Sequence, residues 1–331
     1  MQTMKNATTT VAVASRRRFI SIGAAAGLAG AAPWAFAQEG YPKQPIKLIV
    51  PFAAGSGTDA VARITAQMLG EALKASVIVD NRAGANGVIA AEFVAKAPPD
   101  GYTLFMTTNT THSANPSLMK SLPYDPVKDF APVSRMGNLP FMLVVNNDLP
   151  VKSVAELLAW GRAHPGKLTY ASGNSTGIVS GATLSRMSGV PMLHVPYKST
   201  PPAIADLIGG QVSMMVVDLA AGLATVKAGK MRAIAVTTQE RTKLFPELPP
   251  LAETPELKGF DITSWNGVFA PAGTPRDVVL KLNKVLSEMA NGTAFRERVA
   301  KLGFDAFGST PEELGAFTWK KLIQAAGIQP E

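Results

Sequence analysis

The sequence predicts an α/β fold arranged as two domains. Along most of the 331 residues, short apolar strand candidates alternate with helical patterns, and loops rich in small residues separate them. This repeated order predicts open, largely parallel sheets flanked by helices. The capping-box pattern Ser153-Val154-Ala155-Glu156 begins a second series of such units. We therefore expect a second domain to begin near residue 142.

The first unit joins an apolar strand at residues 46–52 to a helix through a loop of small residues. Val61, Ile64, Met68 and Ala72 recur at the spacing of one helix face. Small side chains let a ligand approach the backbone, and the free N–H groups of a first helical turn favour an anion. The candidate ligand-binding residues of this loop are Phe52, Ala53, Ser56, Gly57, Thr58 and Asp59.

An ordinary strand-to-helix turn, capped by Thr58 or Asp59, explains the same loop equally well. Gly55 and Gly57 lack the third glycine of a dinucleotide fingerprint, and no Gly-Lys-Ser/Thr follows as a phosphate-binding loop requires. The loop alone therefore leaves both interpretations open.

Two more strand and helix units follow in the first half. Residues 77–79 predict a strand, residues 88–95 a helix and residues 102–106 a third strand. That strand opens into hydroxyl and amide residues that include Asn109 and Thr110. Ligands in such sheets bind beyond the carboxyl ends of the strands, so this loop is a second candidate, unless it is an ordinary polar loop.

Residues 122–132 look irregular, and the second domain then begins with a strand at residues 141–145. Further strand candidates cover residues 167–171, 192–195, 212–217 and 231–236. A strand at residues 263–270 precedes Thr274-Pro275, which predicts the start of a helix ending at Asn291-Gly292. We expect this tail to return to the first domain. The predicted domains are residues 38–141 with 264–331, and residues 142–263.

The predicted second domain contains a loop of the same kind as the first one. Ser172, Gly173, Asn174, Ser175 and Thr176 lie between a strand and a helix, where they could face the first loop across a cleft and bind a carboxylate. Tyr197 could stack on a ligand or hydrogen-bond to it. Asp218 could accept from a ligand amine or hydroxyl. A surface turn for Tyr197 and helix capping for Asp218 are the alternatives.

The first 37 residues have the features of a twin-arginine export signal. Ser15-Arg16-Arg17-Arg18-Phe19-Ile20 precedes a short Ala/Gly-rich apolar run, and Ala35-Phe36-Ala37 forms a cleavage site before Gln38. The apolar run is shorter than the roughly 20 residues that a membrane-spanning helix needs. We therefore expect export to the periplasm and cleavage after Ala37.

Charge and composition exclude several function classes. Cleavage removes Lys5, Arg16, Arg17 and Arg18 and no acidic residue, so the formal charge of +8 falls by four to +4. No clustered basic stripe typical of nucleic-acid binding remains. The chain has no cysteine, which excludes disulfides and thiolate chemistry. His112, His164 and His194 lack metal-ligand spacing, and we expect neither a metal nor a cofactor.

Several motifs together resemble one family, the substrate-binding proteins of tripartite tricarboxylate transporters, also called Bug receptors. They include Pro45-Ile46-Lys47-Leu48-Ile49-Val50-Pro51-Phe52-Ala53-Ala54-Gly55, Asp80-Asn81-Arg82-Ala83-Gly84-Ala85, Pro99-Asp100-Gly101-Tyr102-Thr103-Leu104, His194-Val195-Pro196-Tyr197-Lys198 and Ala270-Pro271-Ala272-Gly273-Thr274-Pro275. The resemblance covers essentially the whole mature chain. The sequence departs from the family pattern at Gly55-Ser56-Gly57 and in residues 174–180.

The resemblance implies a periplasmic binding protein of the Venus-flytrap, type II-like class, whose chain crosses twice between its domains. It also implies a small carboxylate ligand, held largely by backbone N–H groups, hydroxyls and water between residues 52–59 and 172–176. The implied partners are the membrane permease subunits of a tripartite tricarboxylate transporter. We expect a monomer with no catalytic residues.

Two other functions remain open at this point. A periplasmic sensor that presents its closed form to a membrane kinase would share every sequence feature of a transport receptor. A carboxylate-ester hydrolase would use Ser56, Ser175 or Asp218 and would need a base. His112 is the one histidine in a candidate ligand loop, although no Gly-x-Ser-x-Gly motif is present.

Overall fold

A computed structural model of the chain describes residues 40–242 and 245–316. The predicted export signal and its cleavage site lie outside these residues, as does the end of the predicted first domain after residue 316. No helix in the described part is both long enough and apolar enough to cross a membrane.

The described residues form eleven strands and ten α-helices. The strands are β1 (Ile46–Val50), β2 (Val77–Asn81), β3 (Thr103–Thr108), β4 (Phe130–Leu139), β5 (Phe141–Val145), β6 (Thr169–Ser172), β7 (Leu193–Pro196), β8 (Met214–Asp218), β9 (Arg232–Val236), β10 (Ser264–Pro271) and β11 (Asp305–Ala306). The helices are α1 (Gly57–Leu73), α2 (Val88–Ala95), α3 (Asn115–Leu118), α4 (Val154–Ala163), α5 (Ser175–Ser188), α6 (Thr200–Ile208), α7 (Leu219–Lys227), α8 (Arg276–Asn291), α9 (Thr293–Ala300) and α10 (Pro311–Ala316). A π-helical turn covers Thr110–Ala114.

The strands form two sheets. One has the order β11-β4-β10-β3-β1-β2 and the other the order β7-β6-β8-β5-β9. We call residues 42–139 and 264–316, which carry the first sheet, the first lobe, and residues 141–263 the second lobe. The division into two independent domains, residues 38–141 with 264–331 and residues 142–263, stays a proposal.

The predicted α/β fold with helix-flanked sheets is confirmed, but the sheets are mixed and not largely parallel. Strands β1, β2 and β3 are parallel, as are β6, β7 and β8. Strand β10 runs antiparallel to β3 and β4, and β5 runs antiparallel to β8 and β9. The reason is the crossing of the chain: β5 and β10 enter their sheets from the other lobe and run against the strands of the β-loop-α units.

Strand β4 was missed in the sequence because its pattern is interrupted. It contains Pro132 and Gly137, and its pairing with β10 shifts register twice. Gly137 has a φ of 142°, and a Cβ there would lie 2.2 Å from the carbonyl oxygen of Asp305 on the neighbouring β11. The close approach of β11 therefore requires glycine at this position.

Helix α1 forms as predicted, but the face that it buries is different. The capping residue is Ser56, and not Thr58 or Asp59 as the sequence suggested, because the helix begins at Gly57 and Oγ of Ser56 accepts from the N–H of Asp59 at 3.2 Å. The buried stripe runs through Val61, Thr65 and Leu69, whereas the predicted stripe included Ala72, which is exposed. The helix contacts β2, α7, α8 and α9, so neighbours on several sides widen and rotate its buried surface.

Candidate functional site

Four helices begin around one small cavity between the lobes. They are α1, capped by Ser56, α5, capped by Asn174, α6, preceded by Ser199, and α7, capped by Asp218. The cavity has a volume of about 10 Å³, which is roughly the space of one water molecule. It is lined by Phe52, Ser56, Gly57, Thr58, Thr108, Leu139, Phe141, Asn174, Thr176, Thr200, Asp218 and Ser264.

The loop that precedes α1 is held from within by Asp59. One carboxylate oxygen of Asp59, Oδ2, accepts from the N–H of Gly55 at 2.9 Å and from Nε of Arg63 at 3.0 Å, and Oδ1 accepts from Nδ2 of Asn81 at 2.9 Å. Burial alone would raise the pKa of Asp59, but the Arg63, Gly55 and Asn81 hydrogen bonds outweigh it, so this pKa lies below its ordinary value. The Asp59 carboxylate therefore stabilises the loop through hydrogen bonds to residues of its own lobe.

Asn109 and Thr110 reach directly across to the second lobe. Nδ2 of Asn109 donates to Oγ1 of Thr176 at 3.1 Å, and the hydroxyl of Ser175 donates to that of Thr110 at 2.8 Å. All four residues are buried. The predicted strand-end loop of the first lobe and the predicted loop of the second lobe are thus in contact.

A third cross-connection joins the first loop to the start of α6. The N–H of Ala53 donates to Oγ of Ser199 at 3.1 Å. On the second-lobe side, a Cβ on Gly173 would lie 2.3 Å from the backbone nitrogen of Thr200. Glycine at position 173 therefore lets the loop before α5 touch the start of α6.

The second-lobe loop is fixed by its own side chains. Oδ1 of Asn174 accepts from the N–H of Gly177 at 2.9 Å and caps α5. Oγ of Ser172 shares a 2.6 Å hydrogen bond with Nε2 of His194. Both bonds hold the loop at the start of α5, where the first N–H groups of a helix lack acceptors within the helix.

Asp218 brings a carboxylate into the same cavity. Its side chain is 2 % exposed, and its Oδ1 accepts from the N–H of Ala221 at 2.8 Å. A Cβ on Gly57 would lie only 1.9 Å from this oxygen. Burial raises the pKa of Asp218 to about 6, although the hydrogen bond from Ala221 acts in the opposite direction. Of the two roles that the sequence left open for Asp218, helix capping is present, and a hydrogen bond to a ligand stays a prediction.

Tyr197 lies apart from the small cavity and lines a larger one. Its hydroxyl donates to Oδ2 of Asp206 at 2.7 Å, and burial together with this bond raises the pKa of Tyr197 to about 12. The larger cavity, of about 330 Å³, has walls from both lobes, and Asn174 lines both cavities. Its lining includes Asn86, Met119, Ser172, His194, Tyr197 and Lys198.

His112 does not offer a base to the candidate serines. Its ring stacks on Phe269 with centroids 3.9 Å apart and also contacts Phe105 and Phe130. Nδ1 is bonded to Oγ1 of Thr111 at 2.9 Å. Burial lowers the pKa of His112 to about 3. The histidine is thus a neutral member of an aromatic cluster behind the loop.

Sequence reasoning missed four buried polar residues of this site. Ser264 and Asn266 lie on β10, where Ser264 donates to Oδ1 of Asn109 and Nδ2 of Asn266 donates to Oγ1 of Thr58 at 3.1 Å. Ser199 and Thr200 begin α6. Polar residues alternating in the returning strand, and hydroxyls before the Pro201-Pro202 pair, are the signals that could have indicated them.

The sequence of this chain matches the model of a known family. The family model described as the tripartite tricarboxylate transporter family receptor matches residues 61–328. This chain belongs to that family. The resemblance inferred from the motifs is confirmed, and the receptors of this family are solute-binding proteins and not enzymes.

Three solved structures that are 32–35 % identical to this chain have the same fold. Rpa4515 of R. palustris, solved with adipate, is 35 % identical with a TM-score of 0.85 and covers 88 % of this chain and 100 % of its own. The periplasmic binding protein BugD is 34 % identical with a TM-score of 0.83, over 88 % and 100 % of the two chains. MatC (Rpa3494) from Rhodopseudomonas palustris, solved with malate, is 32 % identical with a TM-score of 0.77, over 86 % and 97 %. The periplasmic-binding-protein fold is therefore shown for this receptor.

Proposed function

We propose that this receptor binds a small organic carboxylate between its lobes and delivers it to a membrane permease of the tripartite tricarboxylate type. The observation that carries the proposal is that α1 and α5 begin at the same cavity from opposite lobes. Unpaired N–H groups and the positive end of the helix dipole stabilise an anion at each helix start. A carboxylate between them would link the two lobes.

The larger cavity supplies room and a second charge for the rest of the ligand. Asn174 lines both cavities, and Lys198 and Tyr197 line the larger one. A ligand whose first carboxylate binds at the helix starts could extend toward Lys198. The adipate and malate named for Rpa4515 and MatC, both dicarboxylates, support this class of ligand.

Ligand entry requires the lobes to separate. A cavity of about 10 Å³ admits no organic acid, and the bonds from Asn109, Thr110 and Ala53 close the cleft above it. The lobes are joined at Pro140 and at residues 262–264, and we expect these connections to bend. A ligand that contacts both lobes would shift the population toward a closed form in which the small cavity is wide enough to hold one carboxylate group.

We propose export as a cleaved twin-arginine substrate, action in the periplasm as a monomer, and no catalytic role. The packing of His112 against Phe269 speaks against the ester hydrolase, because the ring nitrogen Nδ1 is bonded to Thr111 and the ring is enclosed by phenylalanines. A sensor that signals to a membrane kinase is the second candidate, since it uses the same closure.

Native mass spectrometry of the purified protein beginning at Gln38 tests the ligand class first, because it detects a retained small molecule. Calorimetry on protein stripped of that molecule follows, with dicarboxylates, tricarboxylates and aromatic carboxylates. We expect at least one saturable binder that is recovered chemically unaltered. Absence of binding across the panel, or turnover of the ligand, would overturn the proposal.

The partner is tested separately by capture from membranes that contain the permease subunits. The closed, ligand-loaded receptor should retain the permease, and the stripped receptor should retain less. Retention of a membrane kinase in place of the permease would favour the sensor.

A further inference from the structure

The cavity at the helix starts contains a carboxylate and no balancing cation. Among the described residues that line it, Asp218 is the one that ionises near neutral pH. Its lining is otherwise hydroxyl, amide, glycine and apolar. The positive ends of the helix dipoles must therefore stabilise the charge of Asp218 together with that of any anionic ligand that binds there.

Among the described residues, no basic side chain forms an ion pair with Asp218. The residue is 2 % exposed, and its carboxylate accepts from the N–H of Ala221 at 2.8 Å and from its own backbone N–H. On α1, Asp59 and Arg63 are bonded to each other, and on α6, Asp206 is bonded to Tyr197. The other charged residues on α1, α5, α7 and α9 are Glu71, Arg186, Lys227, Arg296, Glu297 and Arg298. None of these lines the cavity.

Gly57 fixes how close the carboxylate lies to the opposite lobe. Oδ1 of Asp218 would stand 1.9 Å from a Cβ at this position, and Cγ would stand 2.7 Å from it. The acid therefore directly faces the first residue of α1, where the proposed ligand carboxylate is to bind. A ligand carboxylate bound at this helix start would share a buried site with Asp218. Two carboxylates in one buried site repel each other, which favours protonation of one of them.

We propose that Asp218 takes up a proton when the receptor closes on a carboxylate, so that the site binds the anion together with one proton. This inference rests on the proposed function. The protonated acid keeps Oδ1 as the acceptor for Ala221 and offers an O–H donor to the ligand carboxylate. The proton comes from solvent, and no bond to carbon is made or broken.

Burial makes protonation of Asp218 easier. It raises the pKa of Asp218 to about 6 before any ligand binds, against the opposing hydrogen bond from Ala221. Asp59, whose pKa is lowered by Arg63, Gly55 and Asn81 against the effect of burial, stays ionised in the same range. His112, with a pKa lowered by burial to about 3, stays neutral.

The test is calorimetric titration of the stripped mature protein with adipate and with malate, in buffers of different ionisation enthalpy. At pH 8 we expect uptake of about one proton per ligand, and a Kd that is roughly fiftyfold weaker than at pH 6. In Asp218→Asn, which keeps an oxygen for Ala221, the uptake should vanish and the Kd at pH 8 should approach the wild-type value at pH 6. Asp277→Asn, an exposed carboxylate on α8, is the matched control and should behave as wild type.

The possible outcomes separate the two proposals. Binding without proton uptake by the wild-type protein overturns the role of Asp218 and leaves the carboxylate receptor intact. Uptake that persists in Asp218→Asn assigns the proton to another group and also overturns this role. No binding of either acid, at either pH and in either variant, overturns this inference together with the binding of this ligand class. The wild-type measurement decides the question even if the variant does not fold.

Discussion

Gly57 and Asp218 lie against each other across the interface between the lobes, with no space for a side chain on the glycine. A Cβ at position 57 would stand 1.9 Å from Oδ1 of Asp218 and 3.1 Å from Cβ of Ala220. The Asp218 carboxylate accepts from the N–H of Ala221 and so caps α7. Asp218 therefore cannot move away from Gly57 without breaking this capping hydrogen bond. A side chain added at position 57 would therefore keep the two lobes from closing fully.

Gly57→Ala should prevent full closure while leaving the fold intact, because alanine suits a first helical turn. We expect carboxylate binding to weaken at least tenfold, measured by calorimetry, with little change in the melting temperature. Gly209→Ala is the control, because a Cβ there meets its nearest atom at 3.5 Å, an ordinary contact distance. Unchanged binding in Gly57→Ala would show that the two lobes do not meet here in the bound state.

Asn109→Ala should remove a link between the lobes. The side chain donates to Thr176 and accepts from Ser264, and it is completely buried. The loss of these bonds should weaken carboxylate binding by about 1–2 kcal/mol, or roughly five- to thirtyfold. Asn147→Ala, which removes an exposed bond to the carbonyl of Gly229, should have little effect. Equal losses in the two variants would argue against a specific role for Asn109.

Asp59→Ala should destabilise the loop before α1. It leaves the N–H of Gly55 and Nδ2 of Asn81 without this acceptor, and we expect the free energy of unfolding to fall by about 1–3 kcal/mol at pH 7. Since the folded pKa of Asp59 is lowered, its contribution is present above the unfolded pKa and is lost as the pH falls through the folded pKa. Urea unfolding at pH 7 and pH 3 should therefore show a smaller difference between variant and wild type at pH 3. A difference that does not change with pH would contradict an ionic role, and Asp277→Ala is the exposed control.

His112→Phe should reduce the acid sensitivity of the protein. The pKa of His112 is lowered to about 3 by burial, so folding favours the neutral ring and its stabilising effect is present above the unfolded pKa near 6.5. Below that value the wild type should lose up to about 1.4 kcal/mol of unfolding free energy per pH unit from this group. Nε2 has no hydrogen-bond partner in the described part of the chain, so phenylalanine costs little there. Urea unfolding at pH 7 and pH 5 should give a smaller pH dependence for the variant, and an equal dependence would place the acid sensitivity elsewhere.

Much of the fold was predictable because its signals are local. The β-loop-α order, the Ser153 capping box and the apolar strands are written in short stretches, and helix α2 forms over Val88–Ala95 as the pattern predicted. Strand β4 was not predictable, because Pro132 and Gly137 interrupt its pattern and its stability comes from β10, more than a hundred residues later. Its direction and that of β5 likewise depend on partners distant in sequence.

The candidate site likewise has features that the sequence predicted and features that only the structure shows. Short-range patterns in the sequence indicated which loops of small and hydroxyl residues begin helices, and they offered the cap at Asp218, since a helix cap depends on residues only three positions away. They did not identify Ser56 as the cap of α1. Only the tertiary structure decided that Asp59 turns into its own loop, that Ser264 and Asn266 reach the site from a returning strand, and that Asp218 faces Gly57. The helix starts of the two lobes come close to each other only because the crossing strands set the distance between them. If the helix starts at residues 57 and 175 bound no shared anion, these packing relationships would remain, but their functional meaning would not.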